Sequence, residues 1–482
     1  MNFFGTSNNA YRLWLITAGL LAIAIGGYWI PQSGWAIPVL LVLWGGVVLF
    51  IISAGRRLSF QTADTLSTPL EQPVVDNRII QIGFYLFLAS FAIGWRQLWL
   101  TPRLAVHPSE AMIWTLFVLR LTQKKPLSES LSGTLKAFLA LGLLGVFVAF
   151  IYQTAWDIIL AEFRLFLVII PVIHVTRAVV CNATQWRVSF LIIAIVTFYI
   201  SLLGLIEYFA PEMVAPFSSF FADTNVIYSQ PGFARADFTF WGGSIVNVFL
   251  AMMLVPIFGT ATVERDSRWK LFLMITTVLC AVAVYVAGGR GSWLGAVGAV
   301  AIYVFLSPKL GWLKLVMFLV FFYYAVLYFV PSTAIDNIYA VSGAEGYYDS
   351  SALVRASRIR AGINLIKQNP YLGRGWGGSG WVHSDLIQIG ANLGLLALFF
   401  FLYWYLSHIW RLYRLNSSIV WVWVYKRALI AGLAAALLSL STQAIIVLPP
   451  LIIPLWFLVA VAERLLVLAS SNAERNQAPL LL

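Results

Sequence analysis

Residues 355–396 read RASRIRAGINLIKQNPYLGRGWGGSGWVHSDLIQIGANLGLL, a polar interruption in a chain that is otherwise strongly apolar. Arginines at helical spacing come first, a glycine-rich turn follows, and His383 stands directly before a new apolar run. The residue before a proline disfavours helical backbone, so Asn369 and Pro370 are typical of a helix end. We therefore predict a helix over about 351–367, then a turn, then a membrane helix that starts near Asp385.

The composition of the whole chain is that of an integral membrane protein. Hydrophobic residues make up 61% of the sequence and charged residues only 10%, and the mean hydropathy is +0.86. A soluble domain has no means of covering so much apolar surface. Alternating short strands, which a membrane β-barrel requires, do not occur in the sequence, so the predicted fold class is all-α.

Apolar runs of membrane-spanning length recur along the chain. A hydrocarbon core about 30 Å thick needs roughly 20 apolar residues per helix. We predict a polytopic bundle of twelve to fourteen spans in one integral membrane domain, 1–482, the short run at 109–122 being compatible with a re-entrant segment. The predicted spans are 12–30, 34–53, 79–100, 109–122, 132–153, 155–175, 188–210, 238–260, 268–287, 292–307, 309–331, 385–406, 425–446 and 450–469.

The net charge of +12 reflects membrane topology. Basic residues collect in alternate loops, which the positive-inside rule assigns to the cytoplasm, and we expect no nucleic-acid partner. The opposite, extracytoplasmic side then receives two sizeable loops, 211–237 and 332–384. The second loop lies between the fourth-last and third-last spans and is the only candidate subdomain.

Arginines on the extracytoplasmic side run against the charge rule and therefore mark a candidate anion site. Arg290 lies between glycines, which leave its guanidinium accessible, although an arginine that snorkels to the interface has the same pattern. Arg355 and Arg358 share one helical face and suit a diphosphate, whereas Arg360 points elsewhere; contact with lipid headgroups is the alternative. Arg235 either joins this site or pairs with Asp237.

His383 is the histidine that accompanies these arginines. Its near-neutral titration suits a general base or a proton shuttle, while a helix-capping histidine is the alternative. Asp385 either orients the imidazole or caps the helix. The charges inside the predicted spans are interpreted as structural or cavity-lining, with Asp157 and Arg164 on one face; they are Arg96, Arg120, Asp157, Glu162, Arg164 and Glu207.

Sequence motifs for cofactors and metals are absent. The chain has no Asp-x-Asp pair, no histidine–cysteine cluster, no Walker loop and no dinucleotide fingerprint. Nothing in the sequence therefore calls for a metal or another cofactor, and we expect the energy for any reaction to come from the substrate, such as an activated phosphate ester.

The last third of the chain resembles the bacterial O-antigen ligase and O-antigen polymerase superfamily. The resemblance rests on Arg290-Gly291, on Arg355 fifteen residues before Pro370, on the turn Pro370-Tyr-Leu-Gly-Arg-Gly and on His383-Ser-Asp-Leu-Ile-Gln. It covers roughly 235–396, and the stretch after Arg235 departs from the pattern.

This resemblance implies a C-type glycosyltransferase at the periplasmic face of a bacterial inner membrane. It implies a glycan donor on undecaprenyl pyrophosphate, metal-independent and inverting transfer, and a lipid-core or glycan acceptor. Arg290, Arg355, Arg358 and Arg235 would bind the pyrophosphate, and His383 would act as the base. Membrane lipids and polysaccharide-assembly proteins are the further expected partners. A membrane anion transporter and a non-catalytic lipid-binding scaffold are the alternatives.

Overall fold

The computed structural model describes residues 78–93, 98–101, 104–123, 131–210, 229–230, 233–234, 243–287, 290–307, 314, 316, 320, 350–417, 419–443 and 448–477. In these parts the chain is predominantly helical. The helices are α1 Arg78–Ala89, α2 Pro108–Leu121, α3 Gly133–Ile151, α4 Trp156–Leu167, α5 Ile169–Val179, α6 Ala183–Phe209, α7 Gly243–Val263, α8 Ser267–Val286, α9 Arg290–Phe305, α10 Ser350–Gln368, α11 Asp385–Arg414, α12 Val420–Thr442 and α13 Pro449–Gln477.

Two short antiparallel strand pairs accompany the helices in the described residues. β1 (Leu98–Thr101) pairs with β2 (Leu104–Val106), and β3 (Ser229–Gln230) pairs with β4 (Phe233–Ala234). These pairs are only turns between helices, and the all-α class predicted from the sequence is confirmed.

Polar residues start several of the helices where the apolar pattern predicts a boundary. Ser132 accepts a hydrogen bond from the Leu135 N–H at 3.2 Å and opens α3. Asn182 does the same for α6 at 2.9 Å. Side-chain oxygens at these positions satisfy backbone donors that have no partner inside the helix.

Apart from the span at 79–100, the predicted spans agree with the helices wherever the structure describes them. Eight helical stretches are long and apolar enough to cross a membrane, and 78–92 and 291–305 are shorter apolar helices. The predictions at 12–30 and 34–53 lie outside the described residues, and the one at 309–331 does so almost entirely.

One predicted span needs correction in detail. The span at 79–100 is shorter than predicted, because α1 ends at Ala89, a 3-10 turn follows to Ile93, and β1 begins at Leu98. The span predicted at 155–175 is confirmed as one membrane-spanning stretch, Trp156–Val179, in which α4 and α5 follow each other with a turn at Val168. Pro171 lacks the backbone N–H that would bond back to Leu167, which accounts for the turn.

The core of the bundle brings α12 against α7 and α9 at close range. A side chain added at Gly259 would lie 2.7 Å from the Ala428 Cβ, and one at Gly295 would lie 2.9 Å from the Ser439 hydroxyl. Small residues at such crossings let helix backbones approach closely and pack well in a membrane. Residues 449–469 of α13 are almost entirely buried, and this helix packs against α5 and α12.

Buried charges at the predicted cytoplasmic end are paired across helices. Glu463 accepts from Arg177 at 2.7 Å and lies 2.9 Å from His408 Nε2. Arg187 contacts both oxygens of Glu264, at 2.7 and 2.6 Å.

His408 is twenty-three residues after Asp385 on α11, or about 35 Å at 1.5 Å per residue. The two ends of α11 are therefore separated by the thickness of a hydrocarbon core.

Candidate active site

The glycine-rich turn before His383 docks onto a kink in α11. Gly394 has φ +85° and interrupts the helical backbone. Ala391 O and Asn392 O, which a continuous helix would bond internally, instead accept from the N–H groups of Arg374 and Gly375 at 2.9 and 2.7 Å. Leu395 N–H donates to Pro370 O at 2.8 Å. The turn thus satisfies the backbone groups that the kink releases.

Trp376 anchors the same turn in the bundle. Its side chain is 3% exposed, and its indole N–H donates to Gly142 O of α3 at 2.7 Å. Its ring packs on Phe166 of α4 with centroids 5.0 Å apart. Gly375 has φ +80°, and a side chain there would collide with the backbone of Ala149. The glycines therefore allow the turn to lie directly on α3.

Glu162 of α4 holds the turn from a third side. Its Oε2 accepts from the Gly377 N–H at 2.9 Å and from the Asn392 side-chain amide at 3.0 Å. Asn392 in turn accepts from the Ser379 N–H at 3.0 Å. One carboxylate and one amide thereby connect α4, the glycine-rich turn and α11.

His383 lies between the turn and the first residue of α11, and its side chain is partly exposed. The Trp381 indole N–H points at His383 Nδ1 at 3.4 Å, and the two rings are edge-to-face. An indole nitrogen can only donate, so the neutral imidazole in this pair carries its proton on Nε2. Val382 is 1% exposed and fixes the chain between these two accessible side chains.

Gln443 connects the start of α11 with the start of α9. Its carbonyl accepts from the Asp385 N–H at 3.2 Å, and its side-chain amide donates to the Ser292 hydroxyl at 3.3 Å. A side chain at Gly291 would collide with the hydroxyl of Thr442. The helix that begins at Arg290 therefore starts beside the residues that follow His383.

α10 contributes a basic face to this region. A side chain at Gly362 would lie 2.7 Å from Ile387 and 3.2 Å from Val382, so this face of α10 packs on the start of α11. Positions 358 and 355 precede Gly362 by four and seven residues, about one and two helical turns, and lie on the same face. The Arg358 side chain is exposed.

The remaining arginines that the sequence singled out are not seen to join this region in the described residues. Arg235 lies outside the described residues. Arg374 donates to Gln368 at 3.2 Å and lies over the Tyr152 ring at 5.5 Å, so the turn itself engages its guanidinium. Arg164 forms an ion pair with Glu110 at 3.2 Å. This ion pair joins α4 to α2 and is in keeping with the structural interpretation of the membrane charges.

The comparison with known families falls on this same region. Residues 275–402 match the family model described as O-Antigen ligase. The matched segment runs from α8 through α9 and α10 to the first half of α11, and it includes positions 290, 355 and 383. This match confirms the predicted resemblance to the O-antigen ligase superfamily over these residues, and the apolar helices are those of a multi-pass membrane protein. No curated protein matches the chain.

Several residues of the site were missed or only half recognised in the sequence. Glu162 stood out as a membrane charge in need of partners, but its partners lie more than two hundred residues away. Gln443, at the end of a helix, has no local pattern that distinguishes it. Trp381 follows a glycine run, where its proximity to His383 is visible but its hydrogen bond is not.

Proposed function

We propose that the protein is an O-antigen ligase-like glycosyltransferase of the bacterial inner membrane, with its site on the periplasmic side. The donor would be a glycan on undecaprenyl pyrophosphate, and the acceptor a hydroxyl of a lipid core or of a second glycan. The observation that carries this proposal is the convergence of α9 and α11 on Gln443. It supports the proposal because Ser292, two residues after Arg290, and Asp385, two residues after His383, bond to the same residue, and both lie within the segment that matches O-antigen ligase.

The arginines in this proposal bind the diphosphate of the donor. Arg290 and Arg355, joined by Arg358 and Arg235, would hold its oxygens and stabilise the charge that grows as the bond from the sugar C1 to the phosphate oxygen breaks. Guanidinium groups suit this task because they stay charged and bind phosphate oxygens in pairs. Stabilisation of this kind can lower a barrier by several kcal/mol, about 3 for a single donor. Arginine charge replaces a metal ion in this scheme.

His383 would receive the proton of the acceptor hydroxyl. The acceptor oxygen attacks the sugar C1, the diphosphate leaves from the opposite face, and the configuration inverts. In the structure the Trp381 N–H points at the Nδ1 lone pair. The acceptor hydroxyl must therefore take the place of the indole before Nδ1 can accept its proton. The rest of the imidazole is partly exposed, but the indole N–H occupies Nδ1 until the acceptor arrives, so water reaches this atom less readily.

The test is transfer in proteoliposomes that contain a lipid-linked oligosaccharide, an acceptor and EDTA. Wild type should form product, whereas Arg290→Ala and His383→Ala should lose transfer at least a hundredfold and remain folded. Arg358→Ala and Arg360→Ala form a matched pair, because both residues are exposed on α10. Only the first lies on the face that packs toward His383, so only the first should weaken donor binding.

Each outcome separates the candidate functions. The mass of the product distinguishes a ligated acceptor from a polymer. Normal transfer by His383→Ala would remove the role assigned to the histidine. Failure of wild type with every donor, combined with anion flux across the same vesicles, would favour the anion transporter.

A further inference from the structure

A basic cleft lies at the end of α11 that is farthest from His383. The cleft has a volume of about 400 Å³ and lies between α11 and α13, lined by Trp410, Arg411, Arg414, Leu415, Leu466 and Val467. Both arginines are exposed, and neither guanidinium forms an ion pair or a hydrogen bond with the described residues. The Arg414 guanidinium lies over the Trp410 ring at 4.4 Å, which fixes one wall of the cleft.

The electrostatic surroundings of this cleft are positive. Lys426 donates to the Leu415 carbonyl at 2.8 Å and adds a third cation at the rim. The carboxylate that faces this end from α13, Glu463, is already paired with Arg177 and His408. Among the described side chains no carboxylate pairs with either guanidinium, and two such guanidiniums in a shallow cleft favour the binding of an anion.

The depth of the cleft matches that of a lipid headgroup. Arg411 is twenty-six residues after Asp385, or about 39 Å along the helix. Seventeen of these residues follow the kink at Gly394 and span about 26 Å, so Arg411, near the basic end of the helix, is expected at headgroup level. The positive-inside pattern assigns this end to the cytoplasmic leaflet, where anionic lipids attract basic residues.

An apolar track leads from the cleft into the membrane. Trp410, Leu406, Tyr403 and Phe399 are 52%, 46%, 58% and 60% exposed, and their spacing puts them on one face of α11. Phe399 and Tyr403 stack with centroids 6.1 Å apart. A free phosphate ion would make no favourable contact with these apolar side chains, whereas an acyl chain would pack against them.

We propose that this cleft binds an anionic glycerophospholipid. Its phosphate lies between Arg411 and Arg414, and one acyl chain runs along the exposed face of α11 toward Phe399. Basic pockets between membrane helices on the cytoplasmic side commonly hold such headgroups. The site is independent of glycosyl transfer and would exist if the proposed function were wrong.

The experiment is native mass spectrometry of the delipidated full chain titrated with phosphatidylglycerol, and separately with phosphatidylcholine. Wild type should retain phosphatidylglycerol in preference. Arg411→Gln/Arg414→Gln should bind it about tenfold to thirtyfold more weakly, from about 1 kcal/mol for each arginine near the surface. Arg265→Gln/Arg268→Gln removes the same charge from exposed residues near the same membrane face and should bind like wild type.

Three results would overturn the proposal. Equal weakening in both double variants would mean that only bulk surface charge matters. Equal retention of the two lipids by wild type would mean that the cleft does not select an anion. Competition by millimolar inorganic phosphate would identify a free-anion site. Photo-crosslinking of a diazirine-labelled phosphatidylglycerol to wild type needs no variant, and labelling should fall on 399–414.

Discussion

Removal of the Glu162 carboxylate is the sharpest test of how the candidate site is built. Gly377 and Asn392 both donate to the same oxygen, Oε2. A hydrogen bond to a charged group contributes about 1.5–3 kcal/mol net. Because Glu162 is partly accessible, water replaces part of what is lost, and the lower value applies to each bond. Glu162→Ala should therefore destabilise the glycine-rich turn by about 3 kcal/mol.

Glu162→Gln is the conservative counterpart. A single amide oxygen can accept both hydrogen bonds, because a single carboxylate oxygen accepts them in the native protein. The bonds become neutral and contribute about 1 kcal/mol each, so the loss should be about 1–2 kcal/mol. Asp157→Asn is the matched control, since it removes a carboxylate from the same helix outside the contacts with the turn. We expect it to change stability by no more than about 0.5 kcal/mol.

Amide hydrogen exchange of the detergent-solubilised protein measures the effect where it should occur. If local opening of the turn costs about 3 kcal/mol less in Glu162→Ala, the amide exchange rate in peptides that cover 373–380 should rise roughly a hundredfold. Peptides from the core of α12 report whether the whole protein has been destabilised instead. Two results would refute the assignment of Glu162 as the residue that holds the turn. One is an exchange rate of these peptides in Glu162→Ala that equals the wild-type rate, and the other is an equal increase of that rate in Asp157→Asn.

Two further predictions concern the same turn. Gly375→Ala should lower the free energy of unfolding by more than about 2 kcal/mol, because Gly375 has a positive φ and a side chain there would collide with Ala149. Gly380 has a positive φ but lies in open space, so Gly380→Ala should lower it by about 1 kcal/mol. Melting curves of the two variants measure the difference. Trp381→Phe removes the N–H that covers His383 Nδ1. Under the proposed function, hydrolysis of the donor should then rise severalfold relative to transfer without a change in melting temperature, and an unchanged ratio would contradict the covering role.

Most of the fold could be predicted from the sequence because it depends on local composition. Apolar runs of about 20 residues must form helices in a membrane, and Asn369-Pro370 must end one. The predicted helix at 351–367 and the observed α10, Ser350–Gln368, agree for this reason. The error at 79–100 arose because hydropathy does not register a turn within an apolar run.

The candidate site could be predicted only in part, since it depends on pairs that are distant in the sequence. Arg290 and Arg355 were found because basic residues on the extracytoplasmic side are contrary to the positive-inside rule. The family resemblance singled out the same two arginines and His383. The contacts of Glu162 span 215 and 230 residues, and the contact of the Gln443 side chain with Ser292 spans 151. A single sequence shows that a membrane carboxylate needs a donor, but it does not show which one.

The geometry of α11 explains why residues far from the arginines should control the site. A continuous helix through Gly394 would satisfy its own carbonyls and leave the glycine-rich turn without acceptors. The kink transfers those carbonyls to the turn, and Glu162 and Trp376 then fasten the turn to α4 and α3. The backbone that leads into His383 is therefore fixed by α3 and α4, which lie outside the segment that matches O-antigen ligase. Differences between related proteins in α3 and α4 should consequently change the position of the histidine even where the matched segment is the same.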